Sequence, residues 1–400
     1  METFQIIQNG DDYLLPVYNR QKIVLMRGEG AHVYDSERMD YLDFFSGIAV
    51  NGLGQGNPEI VNAIINETKK LGHVSNYYYN EPNVKLAKLL CEISFAQKVF
   101  FCNSGAEAVE AAIKLSRKFF RRQKQNKYEI ISFHRSFHGR TFGAISATGQ
   151  VKYQEGLDPL LPGFQFANFN NIESVKKLIS DKTAAVLIET IQCEGGIHPA
   201  QPQFLKDLRD LTHEKGIFLI LDEVQTGIGR TGKMWAYEHY GIEPDMMTSA
   251  KALGGGLPMG ALLVTNQAAQ GFQVGDHAST FGGNPIVSAA AIANLETILS
   301  KDLMQNALKM GDYLSRKLLE MQKEFPKLFT EVRGKGLIQG IEMTRKSSSL
   351  VSRCAQQGLL VGSAYEEVLR FLPPLIIKSQ DIDQAMEKLK LAVTEELKTN

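Results

Sequence analysis

Three short stretches of this 400-residue chain hold side chains of the kind that do chemistry. In KVFFCNSGAEAVEAAIKLSRKFF, residues 98–103 read as a strand and Asn103-Ser104-Gly105 as a tight turn. The rest reads as a helix whose apolar positions 109, 112, 113 and 120 form a stripe interrupted by Ser116. A helix starting at that turn offers free backbone N–H groups and the positive end of its dipole, and glycine lets an anion approach the backbone. The same text also fits an ordinary capped turn between strand and helix. In FLILDEVQTGIGRTG, a strand ends on Asp222, Glu223 and Gln225, where open α/β sheets gather their ligands. In TSAKALGGGLPMG, Lys251 stands between small residues and a run of three glycines at 254–256. A lysine confined there loses solvation, its pKa falls, and it becomes a nucleophile able to form an imine. The alternative is a loop lysine whose head reaches water.

Together, a phosphate cradle, an acid at a strand end and a confined lysine are the parts a pyridoxal phosphate site needs: an anchor, a partner for the pyridinium nitrogen and an imine-forming amine. Gly227, Gly229 and Gly232 also fit GxGxxG, the dinucleotide pattern, and leave a nucleotide-dependent oxidoreductase as a second reading. Its context departs from that fingerprint, because DEVQT separates the glycines from the strand and the prominent acids precede them. His134 and His138 are four apart, but FHRSFHG reads as a strand running into a loop, no third ligand is near, and no metal is expected. Cys102 reads as buried packing.

The elements around these stretches give an α/β pattern. Continuous apolar runs at 98–103, 129–133, 184–190, 216–224 and 260–265 alternate with helical text, as buried parallel strands do. From about Ile292 the text changes to a helix ending before Pro326, short strands in FTEVRGKGLIQGIEM and VLRFLPPLII, and a closing helix. The start, with strands in IVLMRGEGAHVYD and MDYLDF, resembles this end more than the middle. The expected architecture is a large central, mostly parallel sheet flanked by helices (55–291), with a smaller α+β domain assembled from both chain ends (1–54 and 292–400). Lysine and arginine total 44 against 44 aspartate and glutamate, so no net charge recruits nucleic acid or an anionic membrane. Four cysteines without CxxC spacing fit a reducing, cytoplasmic setting, and no apolar run is long enough for a membrane span.

At these residues the sequence resembles the class III, ω-amino-acid aminotransferases of fold type I. The likeness runs from about Tyr18 to Leu375 through DFFSGIAVNGLG, HVSNYYYNEP, NSGAEA, SFHGRT, DEVQTGIGRTG, SAKALGGG and STFGGNP. The resemblance implies pyridoxal 5'-phosphate as cofactor. Lys251 would form the imine and carry the proton, and Asp222 would pair with the ring nitrogen. Gln225 would lie by the ring hydroxyl, with Val224 and Phe137 on the ring faces. Ser104, Gly105 and Ala106 would hold the phosphate, joined by Thr280 from the neighbouring subunit of a homodimer, with Ser279 beside it near the substrate.

The same resemblance implies a substrate logic. An ω-aminotransferase accepts a donor whose reacting carbon carries no carboxylate, then 2-oxoglutarate, whose reacting carbon does. Arg140, helped by Tyr18, would grip the distal carboxylate of both, and Arg370 the α-carboxylate of glutamate or 2-oxoglutarate. Glu194 would neutralise Arg370 when the donor is bound and swing away afterwards, with Glu189 as companion acid. The expected donor is N2-acetylornithine; ornithine, succinyldiaminopimelate, succinylornithine and 4-aminobutyrate are alternatives. The chain departs from the family text at Thr190 and Cys193, where a Pro and a Gly are usual. It departs again at 53–58, which lacks the usual histidines, and at Gly362, where Asn is common.

Overall fold

The computed structural model describes residues 2–398. Seven strands form the central sheet: Lys98–Cys102 (β1), Glu129–Phe133 (β2), Phe164–Ala167 (β3), Thr183–Glu189 (β4), Phe218–Asp222 (β5), Met246–Ser249 (β6) and Gly260–Val264 (β7). Their spatial order is β1-β7-β6-β5-β4-β2-β3, parallel except for β7, which runs antiparallel between β6 and β1. Every residue of β4 and β5 is buried. Alternate residues feed opposite faces: Val186 and Ile188 join one apolar cluster, Ala185 and Leu187 another. Two-sided burial is why these strands read as unbroken apolar runs.

All five strands expected in this part of the chain are present. The short β3 and β6 were not anticipated, since Gln165 breaks the apolar run of FQFA and MMTS has only two apolar residues before Thr248 and Ser249.

Both chain ends share one sheet. Leu25–Glu29, His32–Asp35 and Asp40–Asp43 form antiparallel pairs, and Leu359–Leu360 from the far end runs parallel to the last of them. A second sheet, with spatial order Phe329–Lys335, Ile338–Met343, Val368–Phe371 and Gly362–Ala364, is antiparallel throughout. Helices Leu303–Glu324 and Ser379–Lys398 lie where the pattern predicts helices. Helix Pro285–Ser300 runs unbroken through position 291, so a domain boundary there falls inside a helix. Its sequence, PIVSAAAIANLETILS, is apolar almost all round, and the helix packs on Pro58–Lys70 and Glu81–Glu92. A further helix, Thr3–Tyr13, opens the described chain and buries no residue.

Candidate active site

The carboxyl ends of β1, β4 and β5 surround a cavity of about 410 Å3 whose lining includes Ser104, Gly105, Ala106, Phe137, Glu189, Glu194, Asp222, Val224, Gln225 and Lys251. Helix Gly105–Arg122 (α1) starts directly after β1. Ser104 caps it by accepting the Glu107 N–H, and Ser116 satisfies its buried hydroxyl by donating to Ala112 O at 2.8 Å. The N–H groups of Gly105 and Ala106 belong to the first turn, which has no intrahelical acceptors, so they remain available to an anion. A Cβ on Gly105 would come within 2.8 Å of both Val224 methyls, so only glycine lets this turn close over Val224. An anion-binding helix end, a branched side chain against it and a lysine and carboxylate across the cavity fit pyridoxal phosphate in chemistry and in room.

Asp222 ends the fully buried β5. Its Oδ1 accepts from the Val224 N–H and the Thr248 hydroxyl, both at 3.1 Å, and its Oδ2 lies 2.7 Å from His138 Nδ1. A carboxylate has about four acceptor positions, so one stays free toward the cavity. Lys251 directly follows β6 and Ala250, at a left-handed φ of +43°. Burial lowers its pKa; Arg370 adds to that effect, while Glu194, Cys193 and Asp222 oppose it. The result is an amine nearer neutrality than a surface lysine, as a nucleophile and proton carrier requires. Glu189 goes the other way. Burial first, and then the charge of Asp222, push its carboxyl well above the usual range, against a hydrogen bond from the Phe137 N–H at 3.3 Å.

The two arginines are in opposite states. Arg370 is buried and donates to Glu194 Oε1 at 2.5 Å and to Gln225 Oε1 at 3.2 Å, while Gln225 Nε2 donates back to Glu194 at 3.2 Å. Burial opposes ionisation of Glu194, but the charges of Arg370 and Lys251 and the hydrogen bonds from Arg370 and Gln225 outweigh it and bring this carboxyl down to about 2. Arg140 is exposed. It stacks 3.9 Å above the Tyr153 ring and has no carboxylate partner among the described residues.

The Gly362 departure has a packing reason, since a Cβ there would meet Phe45 at 2.2 Å and the Phe45 ring lies 5.8 Å from the Arg370 guanidinium. Cys193 lines the cavity as a neutral thiol, its pKa well above the usual value because it is buried.

The chain brings together Lys251, Asp222, Ser104, Gly105, Ala106, Phe137, Val224, Gln225, Glu189 and Glu194, with Arg370 behind Glu194. The amide of Gln225 is engaged by Glu194 and Arg370. Ser279 reaches the phosphate turn from the side, its Oγ accepting from Asn103 Nδ2 at 3.3 Å. Thr280 and Tyr18 do not line the cavity of this chain; both are exposed. Two residues in contact with the expected site residues were missed. His138 was weighed only as half of a metal pair, and its neighbour Asp222 is 84 positions away. Tyr153 ends a single-turn 3-10 helix, Val151–Tyr153, with no pattern to mark it. The glycines at 227–232 serve packing: a Cβ on Gly227 would meet the Trp235 ring at 3.0 Å and one on Gly232 would meet Leu308 at 2.2 Å.

Residues 16–393 match the family described as aminotransferase class-III. The chain is 48% identical to the acetylornithine aminotransferase of Caldanaerobacter subterraneus subsp. tengcongensis, over 96% of this chain and 98% of that one. It is 46% identical to the Methanocaldococcus jannaschii enzyme of the same name, over 96% of each. Among solved structures, N-acetylornithine aminotransferase from Stenotrophomonas maltophilia superposes with a TM-score of 0.86 at 35% identity, covering 98% of this chain and 100% of that one. Ornithine aminotransferase from Toxoplasma gondii, which holds PLP at partial occupancy in its active site, gives 0.94 at 27% identity, covering 99% and 96%.

Proposed function

The chain belongs to the class-III aminotransferases, and from that premise we propose that it transfers the δ-amino group of N2-acetylornithine to 2-oxoglutarate, giving N-acetylglutamate 5-semialdehyde and glutamate in arginine biosynthesis. The observation that carries this reading is the contrast between a neutralised Arg370 and an unpaired Arg140. A donor with one carboxylate far from its reacting amine needs one guanidinium open and the other silenced.

Pyridoxal phosphate, when bound, supplies an electron sink for negative charge at the substrate carbon. The α1 N-terminus at Ser104, Gly105 and Ala106 holds its phosphate, with Thr280 of a second subunit completing the grip. Asp222 keeps a proton on the ring nitrogen, and His138 holds Asp222 in place. Phe137 and Val224 confine the ring. Lys251 Nζ would take the proton from the substrate carbon and deliver it to the cofactor, and run the same transfer in reverse for the second substrate. Arg140, with Tyr18, orients the distal carboxylate; Arg370 binds the α-carboxylate of the dicarboxylate substrates once Glu194 withdraws.

A working homodimer is supported by the exposed Tyr77 (94%), Tyr79 (96%) and Phe281 (58%), side chains that a soluble monomer rarely leaves in water together. Among the described residues no helix is long and apolar enough to cross a membrane; a cytoplasmic setting is part of the proposal, and the four free cysteines support it because they suit a reducing compartment. Comparing kcat/KM for acetylornithine, ornithine, succinyldiaminopimelate and 4-aminobutyrate tests the donor. A preference of about tenfold or more for ornithine or 4-aminobutyrate, roughly 1.4 kcal/mol of transition-state binding, overturns it.

A further inference from the structure

Glu194 forms part of the wall between two cavities. One holds Lys251 and Asp222; the other, about 370 Å3, lies outside it and is lined by Lys152, Tyr153, Lys346, Tyr365 and Glu366. The Glu194 side chain is 22% exposed and that of Arg370 only 3%, so the acid is reachable from the outer cavity and the arginine is not.

If Glu194 leaves Arg370 when a dicarboxylate enters, as the proposed function requires, its carboxylate needs a second partner. Inward lies the space of Lys251 and the substrate. Outward lie two ammonium groups. Lys346 already pairs with Glu366 at 2.8 Å. Lys152 forms no direct ion pair among the described residues, although its charge reaches Glu366, and its Nζ lies 5.1 Å from the Tyr153 ring centroid and 5.4 Å from that of Tyr365. Tyr365 and Glu366 both adopt left-handed backbone, φ +47° and +63°, an uncommon pair for non-glycine residues that fixes the loop carrying one of those rings.

We propose that Lys152 receives the Glu194 carboxylate whenever 2-oxoglutarate or glutamate occupies Arg370, which makes Lys152 a positioning residue for the second half-reaction. Both rings also carry a guanidinium, Arg140 at 3.9 Å from Tyr153 and Arg135 at 4.5 Å from Tyr365, and Lys152 lines the cavity beside them. An exposed cation–π contact and an exposed ion pair have similar strengths, so Lys152 exchanges one for the other without trapping Glu194 in the open state.

The test is calorimetric binding to the cofactor-loaded protein of two unreactive ligands: glutarate, which needs Arg370 vacated, and pentanoate, which needs only Arg140. Lys152→Gln is expected to weaken glutarate about three- to fivefold, the size of an exposed ion pair, and leave pentanoate unchanged. Lys152→Arg restores glutarate binding, and in a Glu194→Gln background Lys152→Gln has no effect. Equal weakening of both ligands, no weakening of glutarate, or weakening that persists without Glu194 overturns the proposal. No amino donor takes part, so an error in the donor assignment does not touch this result.

Discussion

The end of the cavity proposed to hold the cofactor and the end proposed to hold substrate carboxylates are built on different plans. Asp222 and Lys251 stand at or just beyond the ends of neighbouring buried strands, β5 and β6, and Gly105 opens α1 right after β1. Regular hydrogen-bonded elements fix the backbone of all three. At the other end, Arg370 comes from the antiparallel sheet near the C-terminus, Glu194 from the loop beyond β4, and Arg140 from the loop after β2. Under the proposed function, the invariant step of the reaction rests on groups anchored by backbone elements, whereas substrate exchange rests on side chains that trade partners.

The widest gap between the two ends should appear when the cofactor end is cut. Lys251→Ala should reduce transamination with every donor by at least about a thousandfold, because proton transfer and imine formation are lost together, and abolish the visible absorbance of the bound cofactor. Turnover within tenfold of wild type would undo the assignment. Arg370→Lys keeps the charge but loses the planar fork, so kcat/KM for 2-oxoglutarate should fall about 10- to 30-fold while the single-turnover rate with donor changes less than about threefold. Arg140→Lys should cost about three- to tenfold in both half-reactions alike, since that site is wet and serves both. An effect confined to one half-reaction would erase the distinction between the arginines.

The smallest effect concerns acid stability. The Glu194 carboxyl titrates near 2 in the folded protein, below its unfolded value of about 4.3. Its contribution is therefore complete above roughly pH 5 and is lost as pH falls through about 2. The melting-temperature difference between wild type and Glu194→Gln should stay constant from about pH 5 to 8 and shrink below about pH 4; a midpoint near neutrality would contradict it.

This division also decides what the amino-acid text could reveal. Asp222, Lys251 and the 103–105 turn were legible because strand ends, small-residue runs and helix starts leave local patterns. Arg370 and Arg140 were recognisable only through resemblance, because an arginine on a loop looks like any surface arginine until its partner is placed. His138 and Tyr153 escaped because their roles arise from contacts across the fold. The strand β7 was legible as a strand, but its antiparallel direction depends on which neighbours it joins, and nothing within GALLVT encodes that.

That direction has a consequence for how the enzyme is made. The strand β1, which carries the phosphate turn, pairs in the sheet only with β7, and Gly260 of β7 sits where a Cβ would meet Ser104 O at 2.3 Å. A ribosome that has delivered β1 must add the whole stretch to Val264 before β1 gains its neighbour, which at about 5–20 residues per second takes on the order of ten seconds or more. Cofactor capture is thus a late event in biogenesis, and nascent chains stalled before Gly260 should emerge without affinity for it.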